Sequence, residues 1–157
     1  MKKFLIPAAL LLALALILGT VGCGGDEGPT DEEQINELLD EQIAALNEVD
    51  LETVYNQRSP SYKSRVSQED FENFILMAFA DFLPAVESGQ AEVEITDMEI
   101  RVEGEYAYMT GNLSLNGETL LPYTDESPDI WQKIDGTWYN LETNPAFPGY
   151  DASELPE

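Results

Sequence analysis

The chain predicts an α+β fold, with helices first and an antiparallel β-sheet after them. Two observations carry that expectation. From Asp31 to Phe82 apolar residues recur three and four positions apart, and from Ala91 onward they recur at every second position. Gly89 stands where the period changes. A third observation, the pair Asp135-Gly136 between two apolar runs, predicts a closing β-hairpin.

The helices follow in order. In "TDEE", Thr30 is placed to cap a helix and Glu33 to complete a capping box. Ile35, Leu38, Leu39, Ile43, Leu46 and Val49 then form one apolar stripe. Asp50 caps a short second helix, "LETVYNQ", which Pro60 closes. Ser67 and Asp70 open a third. Its residues Phe71, Phe74, Ile75, Ala78, Phe79 and Phe82 fall on one face. Four phenylalanines on one face require a broad apolar surface, which a sheet supplies. Truncating Phe74 to alanine is then expected to cost about 3–5 kcal/mol. Pro84 stops or kinks this helix.

In "AEVEITDMEIRVEG" the apolar parity switches between Val93/Ile95 and Met98/Ile100/Val102, which predicts a bulge or turn near Thr96 and Asp97. "EYAYMTGNLSLNG" alternates as a second strand. In "DIWQKIDGTWYNLE" a two-residue turn sets Lys133 opposite Trp138, Gln132 opposite Tyr139 and Ile130 opposite Leu141. One hairpin face then carries Ile130, Ile134, Tyr139 and Leu141, the other Trp131 and Trp138. Helices cover one of these faces. The other requires a ligand, a second copy of the chain, or the proline-rich end of the chain, where Phe147 and Tyr150 are available as anchors.

The chain begins "MKKFLIPAALLLALALILGTVGC", two lysines and an apolar run leading to its single cysteine. A basic start, a short apolar stretch and small residues describe a secretory signal, with a membrane-spanning segment as the alternative. The segment "TVGC" resembles the lipobox of bacterial lipoproteins, in which the cysteine is acylated and becomes the mature N-terminus. That resemblance assigns residues 1–22 to the signal and Cys23 to lipid attachment. Residues 23–30 form a glycine-rich tether reaching about 15 Å, 31–142 the domain, and 143–157 the tail. Acyl chains on Cys23 would hold the protein to a membrane, exported and facing the periplasm or exterior.

The chain has 31 acidic and seven basic residues, a net charge of −24. Without Lys2 and Lys3 the charge is near −26. Such a surface repels nucleic acid, which is excluded as a partner. The acid-rich "TDESPD" loop, Thr124 to Asp129, lacks the spacing of a calcium loop. With no histidine, no phosphate-binding glycine loop and no metal-ligand cluster in the sequence, no cofactor or metal is expected.

Helix order and hairpin together resemble the nuclear transport factor 2-like (cystatin-like) superfamily. The resemblance rests on "AALNEVDLETVY", "SPSYKSRVSQEDF" and "WQKIDGTWYNL", and covers roughly 31–142. It implies a sheet curled into a cone around an apolar pocket. It also implies one of two functions: a non-catalytic binding or interaction domain, the leading expectation, or an isomerase- or dehydratase-like enzyme acting on a small apolar ring compound. In such enzymes a carboxylate moves a proton while a phenol steadies an oxyanion. Tyr55 and Tyr62 are candidate phenols here, Asp97 and Asp129 candidate bases. A buried carboxylate opposite a tyrosine in the pocket would favour the enzyme.

Two patches complete the candidates. Arg58, Lys63 and Arg65 lie close together between the second and third helices, where with Tyr55 and Tyr62 they are placed to bind an anionic or apolar ligand at the pocket rim. The alternative is that they pair with nearby acids, each surface pair contributing about 0–1 kcal/mol. Trp131, Lys133 and Trp138 offer a cation–π surface for homodimerisation or a partner through an open sheet face. The alternative buries the tryptophans under the tail.

Overall fold

The computed structural model describes residues 28–156. The expected signal (1–22), Cys23 and most of the tether lie outside the described residues. Over the described residues the fold is α+β: five α-helices followed by a five-stranded antiparallel sheet.

Helix α1, Asp31–Glu48, opens on the expected capping box. Thr30 Oγ1 accepts from Glu33 N–H at 3.2 Å, and the Glu33 carboxylate accepts from Thr30 N–H at 2.7 Å. Asp50 caps α2, Leu51–Asn56, through the Thr53 N–H. Pro60 does not close this piece. It opens a further helix, α3, Pro60–Arg65, at the first position, where a missing N–H leaves nothing unsatisfied. Ser59 caps α3 by accepting from Tyr62 N–H at 3.0 Å. The segment expected as a loop bearing Lys63 and Arg65 is therefore helical.

Ser67 caps α4, Gln68–Ala78, as expected. The helix stops at Ala78, and α5, Leu83–Glu87, follows with Pro84 in its first turn. This break divides the phenylalanine stripe. Phe71 and Ile75 are buried, Phe74 is half-buried, and Phe82 is 39 % exposed. Phe71 packs on other helices rather than on a sheet, 5.6 Å from the Tyr55 ring and edge-on to Tyr62 at 6.4 Å.

The strands are β1, Val93–Glu103; β2, Tyr106–Leu115; β3, Glu118–Tyr123; β4, Asp129–Ile134; and β5, Thr137–Asn140. A bulge interrupts β1 between Thr96 and Glu99, where parity predicts a bulge or a turn, with Asp97 at φ +54°. Strand β2 is the spine of the sheet. One edge pairs with β1; the other is shared by β3, opposite Gly111 to Leu115, and β4, opposite Tyr106 to Met109. The Asp135-Gly136 turn sets the expected register, Lys133 opposite Trp138 and Gln132 opposite Tyr139, and Leu141 N–H donates to the Ile130 carbonyl. Strand β3 is an addition to the sequence reading. The Asn116-Gly117 pair turns into it with positive φ at both residues, as a type I′ hairpin requires.

Helix α1 lies on the tryptophan face. Ile35 and Leu39 form one apolar cluster with Ala107, Met109, Trp131 and Trp138. Trp131 is 0 % and Trp138 2 % exposed, so this face is not an open dimer surface and the tail does not cover it. Lys133 binds Asp31, beside the Trp138 N–H, which also donates to Asp31 at 3.3 Å. Its ammonium lies 5.5 Å from the Trp138 ring, the expected cation–π contact. The hairpin is thereby fastened to the start of α1 instead of presenting a lysine to a partner.

Candidate functional site

A cavity of about 420 Å³ lies between the helices, the sheet and the chain after β5. Ile75 and Phe79 of α4 and its extension form one wall; Ile95, Met109, Leu113 and Leu121 of the sheet form another. These walls follow from periodicity. Met109 and Leu113 share one face of β2, and Leu121 sits opposite Leu113 on β3.

One end of the cavity is polar, and the split along the β2 edge creates it. Tyr123 ends β3 opposite Gly111, and Asp129 begins β4 opposite Met109. Directly opposed residues share a sheet face, and Gly111 and Met109 are two apart, so Tyr123 and Asp129 are neighbours on the cavity face. Asn140 ends β5, and Glu142 follows it two residues later. Arg58 arrives from the joint between α2 and α3, where Asn140 N–H donates to the Gln57 carbonyl and the backbones of Arg58 and Asn140 form a bridge.

Asp129 is buried, 7 % exposed. Asn140 Nδ2 donates to both its oxygens at 2.9 Å, and Trp131 Nε1 donates to Oδ2 at 2.9 Å. Burial pushes this carboxyl above the usual aspartate range, against the pull of Asn140, Arg58 and Trp131. Glu142, also 7 % exposed, is pushed up by burial as well, against Arg58 and the Asn144 N–H. Arg58 Nη1 donates to Asn140 Oδ1 and lies 3.6 Å from Glu142 Oε2. Burial, and then the charge of Asp129, push the Tyr123 phenol up, so it remains a neutral donor at any physiological pH.

The sequence candidates separate accordingly. Arg58 and Asp129 line the cavity. Tyr55 and Tyr62 do not: Tyr55 is buried with its hydroxyl donating to the Val66 carbonyl at 2.8 Å, and Tyr62 is buried against Phe71. Lys63 donates to the Asn56 carbonyl. Arg65 clamps Glu154 through two bonds of 2.6 and 3.0 Å and holds the Gly149 carbonyl at 2.7 Å. The three cations thus point to three different partners and form no joint anion site. Asp97 is an exposed bulge residue. Sequence reasoning missed Tyr123, Asn140 and Glu142. The Asn116-Gly117 turn signal would have placed Tyr123 on a strand.

The tail reaches the cavity end of this sheet face rather than the end that carries the tryptophans. Thr143, Asn144 and Phe147 line it, and Phe147 lies edge-on to Phe74 at 4.9 Å. A second, open depression between α1 and the β4–β5 turn is lined by Gln34, Glu37, Glu41 and Trp138. Among the described residues no three His, Cys, Asp or Glu side chains gather as a metal ligand set, and no helix is long and apolar enough to cross a membrane. No protein-family model matches the chain, and no curated protein matches it.

Proposed function

We propose that the protein is an exported, lipid-anchored binding domain of the nuclear transport factor 2-like kind, a cone that holds a small apolar molecule between its helices and its sheet. The cavity is the observation that supports this reading. Its 420 Å³ falls within the 300–1,000 Å³ typical of ligand pockets, and its lining is mainly apolar with a few convergent polar groups. The cavity is partly open to solvent, which gives an apolar molecule a way in. Acyl chains at Cys23 and the short tether would keep the domain at the membrane surface, where apolar molecules concentrate.

Native mass spectrometry of the full chain, purified gently, tests the reading. Bound extra mass is expected, and Leu113→Trp, which fills the cavity, is expected to remove it while the far-ultraviolet spectrum stays native. A bare mass, together with no uptake of an apolar fluorescent dye that Leu113→Trp then blocks, would refute it.

A second reading has its own observation: a buried carboxyl, Asp129, and a neutral phenol, Tyr123, face the same cavity. A raised carboxyl pKa and a phenol donor suit proton transfer next to a carbonyl, as in the isomerase-like expectation. Binding is preferred because Asn140 and Trp131 already hold both Asp129 oxygens. Deuterium exchange next to the carbonyl of a bound cyclic ketone, lost in Asp129→Asn, would establish the enzyme. Absence of exchange with bound ketone would dismiss it.

A further inference from the structure

We infer that the molecule held in the cavity ends in a carboxylate, and that the Nε–Nη2 edge of Arg58, with the Tyr123 hydroxyl, seats it; the inference rests on the binding reading above. Arg58 is the one cation among the described residues that line the cavity. Its guanidinium is held through one nitrogen. Nη1 donates to Asn140 Oδ1 and to the Leu141 carbonyl at 3.5 Å, and it lies 3.6 Å from Glu142 Oε2. The central carbon sits 5.6 Å from the Tyr62 ring and 5.8 Å from the Phe71 ring, contacts that help to fix the group in place. Nε, by contrast, is buried with no acceptor among the described residues, and Nη2 has none either. A buried N–H without an acceptor costs free energy unless something else supplies one. The Nε and Nη2 hydrogens run parallel from one edge of the planar guanidinium, a fork that fits the two oxygens of a carboxylate.

The neighbouring groups leave that edge to a ligand. Asp129 spends both oxygens on Asn140 and Trp131, and Glu142 Oε1 accepts from the Asn144 N–H. Asn140 Oδ1 is taken by Nη1 itself. Tyr123 lines the same end of the cavity and feels the Arg58 charge, and its hydroxyl has no hydrogen-bond partner among the described residues. It is a third free donor. Burial pushes both Asp129 and Glu142 toward the neutral form, so the guanidinium charge is left for the ligand to match. An ammonium would meet three donors and a like charge. A neutral carbonyl would accept hydrogen bonds but leave the charge. A carboxylate supplies the acceptors and the opposite charge together. The chain's net charge of −24 repels anions at a distance. Salt screens that repulsion beyond about 8 Å, and inside the cavity the nearest charge decides. The ligand class is thus an apolar carboxylic acid, taken by Arg58 alone rather than by Arg58, Lys63 and Arg65 together.

A matched set with one rigid apolar body tests this: adamantane-1-carboxylate, 1-adamantyl methyl ketone and adamantan-1-amine, each titrated calorimetrically into the full chain at pH 7. The carboxylate is expected to bind about ten-fold or more tightly than the ketone, and the amine weakest. Tyr123→Phe removes one donor and is expected to lower carboxylate affinity about three-fold or more. Arg58→Lys keeps the charge without the fork and is expected to lower it about ten-fold or more. Arg101→Gln, which removes a positive charge from an exposed pair outside the cavity, is expected to leave the ranking unchanged. The wild-type ranking needs no variant, so an Arg58→Lys protein that fails to fold does not rescue the inference. Binding of the ketone or the amine as tightly as the carboxylate would overturn the inference and leave the binding reading standing. So would an unchanged carboxylate affinity in folded Arg58→Lys. Binding of none of the three would overturn both.

Discussion

Replacing Asn140 with leucine keeps most of the side-chain volume and removes the group that organises the polar end of the cavity. Its Nδ2 donates to both Asp129 oxygens, and its Oδ1 accepts from Arg58. In Asn140→Leu the buried Asp129 keeps only the Trp131 N–H, and Arg58 Nη1 keeps the Leu141 carbonyl at 3.5 Å and the Glu142 carboxylate at 3.6 Å. A hydrogen bond to a charged group contributes about 1.5–3 kcal/mol, and breaking a buried ionic arrangement costs about 3–5 kcal/mol. The variant is therefore expected to lose about 3–5 kcal/mol at pH 8. The loss depends on pH in a defined direction. Burial holds the folded Asp129 above the usual aspartate range, so between that range and its raised value the folded protein binds the proton and the unfolded chain does not. Stability attributable to Asp129 falls as pH rises through that window. Asn140 is among the groups that lower the raised value, so its removal widens the window upward. The penalty should then shrink between pH 8 and pH 4.5. Urea denaturation followed by tryptophan fluorescence, wild type against variant at both values, measures it. A penalty below about 1 kcal/mol at pH 8, or one that is equal at both pH values, would refute the reasoning.

Three further outcomes are expected. Cys23→Ala should release the protein from the membrane fraction; retention of an uncleaved N-terminal run there would favour a spanning segment over a lipid anchor. Phe71→Ala, in the helical core, should cost about 3–5 kcal/mol on chemical denaturation, and Phe74→Ala, half-buried beside Phe147, only about 1–2 kcal/mol; the reverse order would mean that the α4 face is wrongly assigned. Gly149→Ala would place a methyl carbon 2.5 Å from Tyr62 Cε2 at a φ of +80°. That substitution should cost about 1–3 kcal/mol and expose the chain end to carboxypeptidase, and unchanged digestion would show that the tail is not seated there.

The helix starts were legible because capping is local. Thr30, Asp50 and Ser67 each cap a backbone N–H three residues ahead, and that spacing can be read directly from the letters. Pro60 misled for a related reason: proline both ends helices and begins them, and only Ser59 one position earlier decides between the two. Strand β3 escaped notice because "ETLLPY" holds a proline and little alternation. It is an edge strand that pairs only with β2, where a missing N–H is tolerated.

The site was legible in part. Arg58 and Asp129 were candidates, but for separate roles, and neither predicted phenol reaches the cavity. The tryptophans illustrate the difficulty. Alternation correctly put Trp131 and Trp138 on one face, yet alternation is silent about which element lies on that face, and α1 covers it. Conversely, the amphipathic stripe of α1 announces that the helix packs, not what it packs on.

By itself the sequence determined that helices precede strands, the break in parity near Thr96 and Asp97, the closing hairpin and its register, and the acid excess. Each of these depends on residues a few positions apart or on composition alone. Only the tertiary structure decided which polar groups meet. Arg58 and Asn140 lie 82 positions apart, and they touch because the edge of β5 runs along the joint between α2 and α3. Tyr123 and Asp129 are neighbours because β3 and β4 divide one edge of β2 between them. Glu142 joins the same group because the chain after β5 carries it to within 3.6 Å of the Arg58 guanidinium. Short-range patterns specify faces and turns, whereas the chemistry of the cavity depends on which faces the chain brings together.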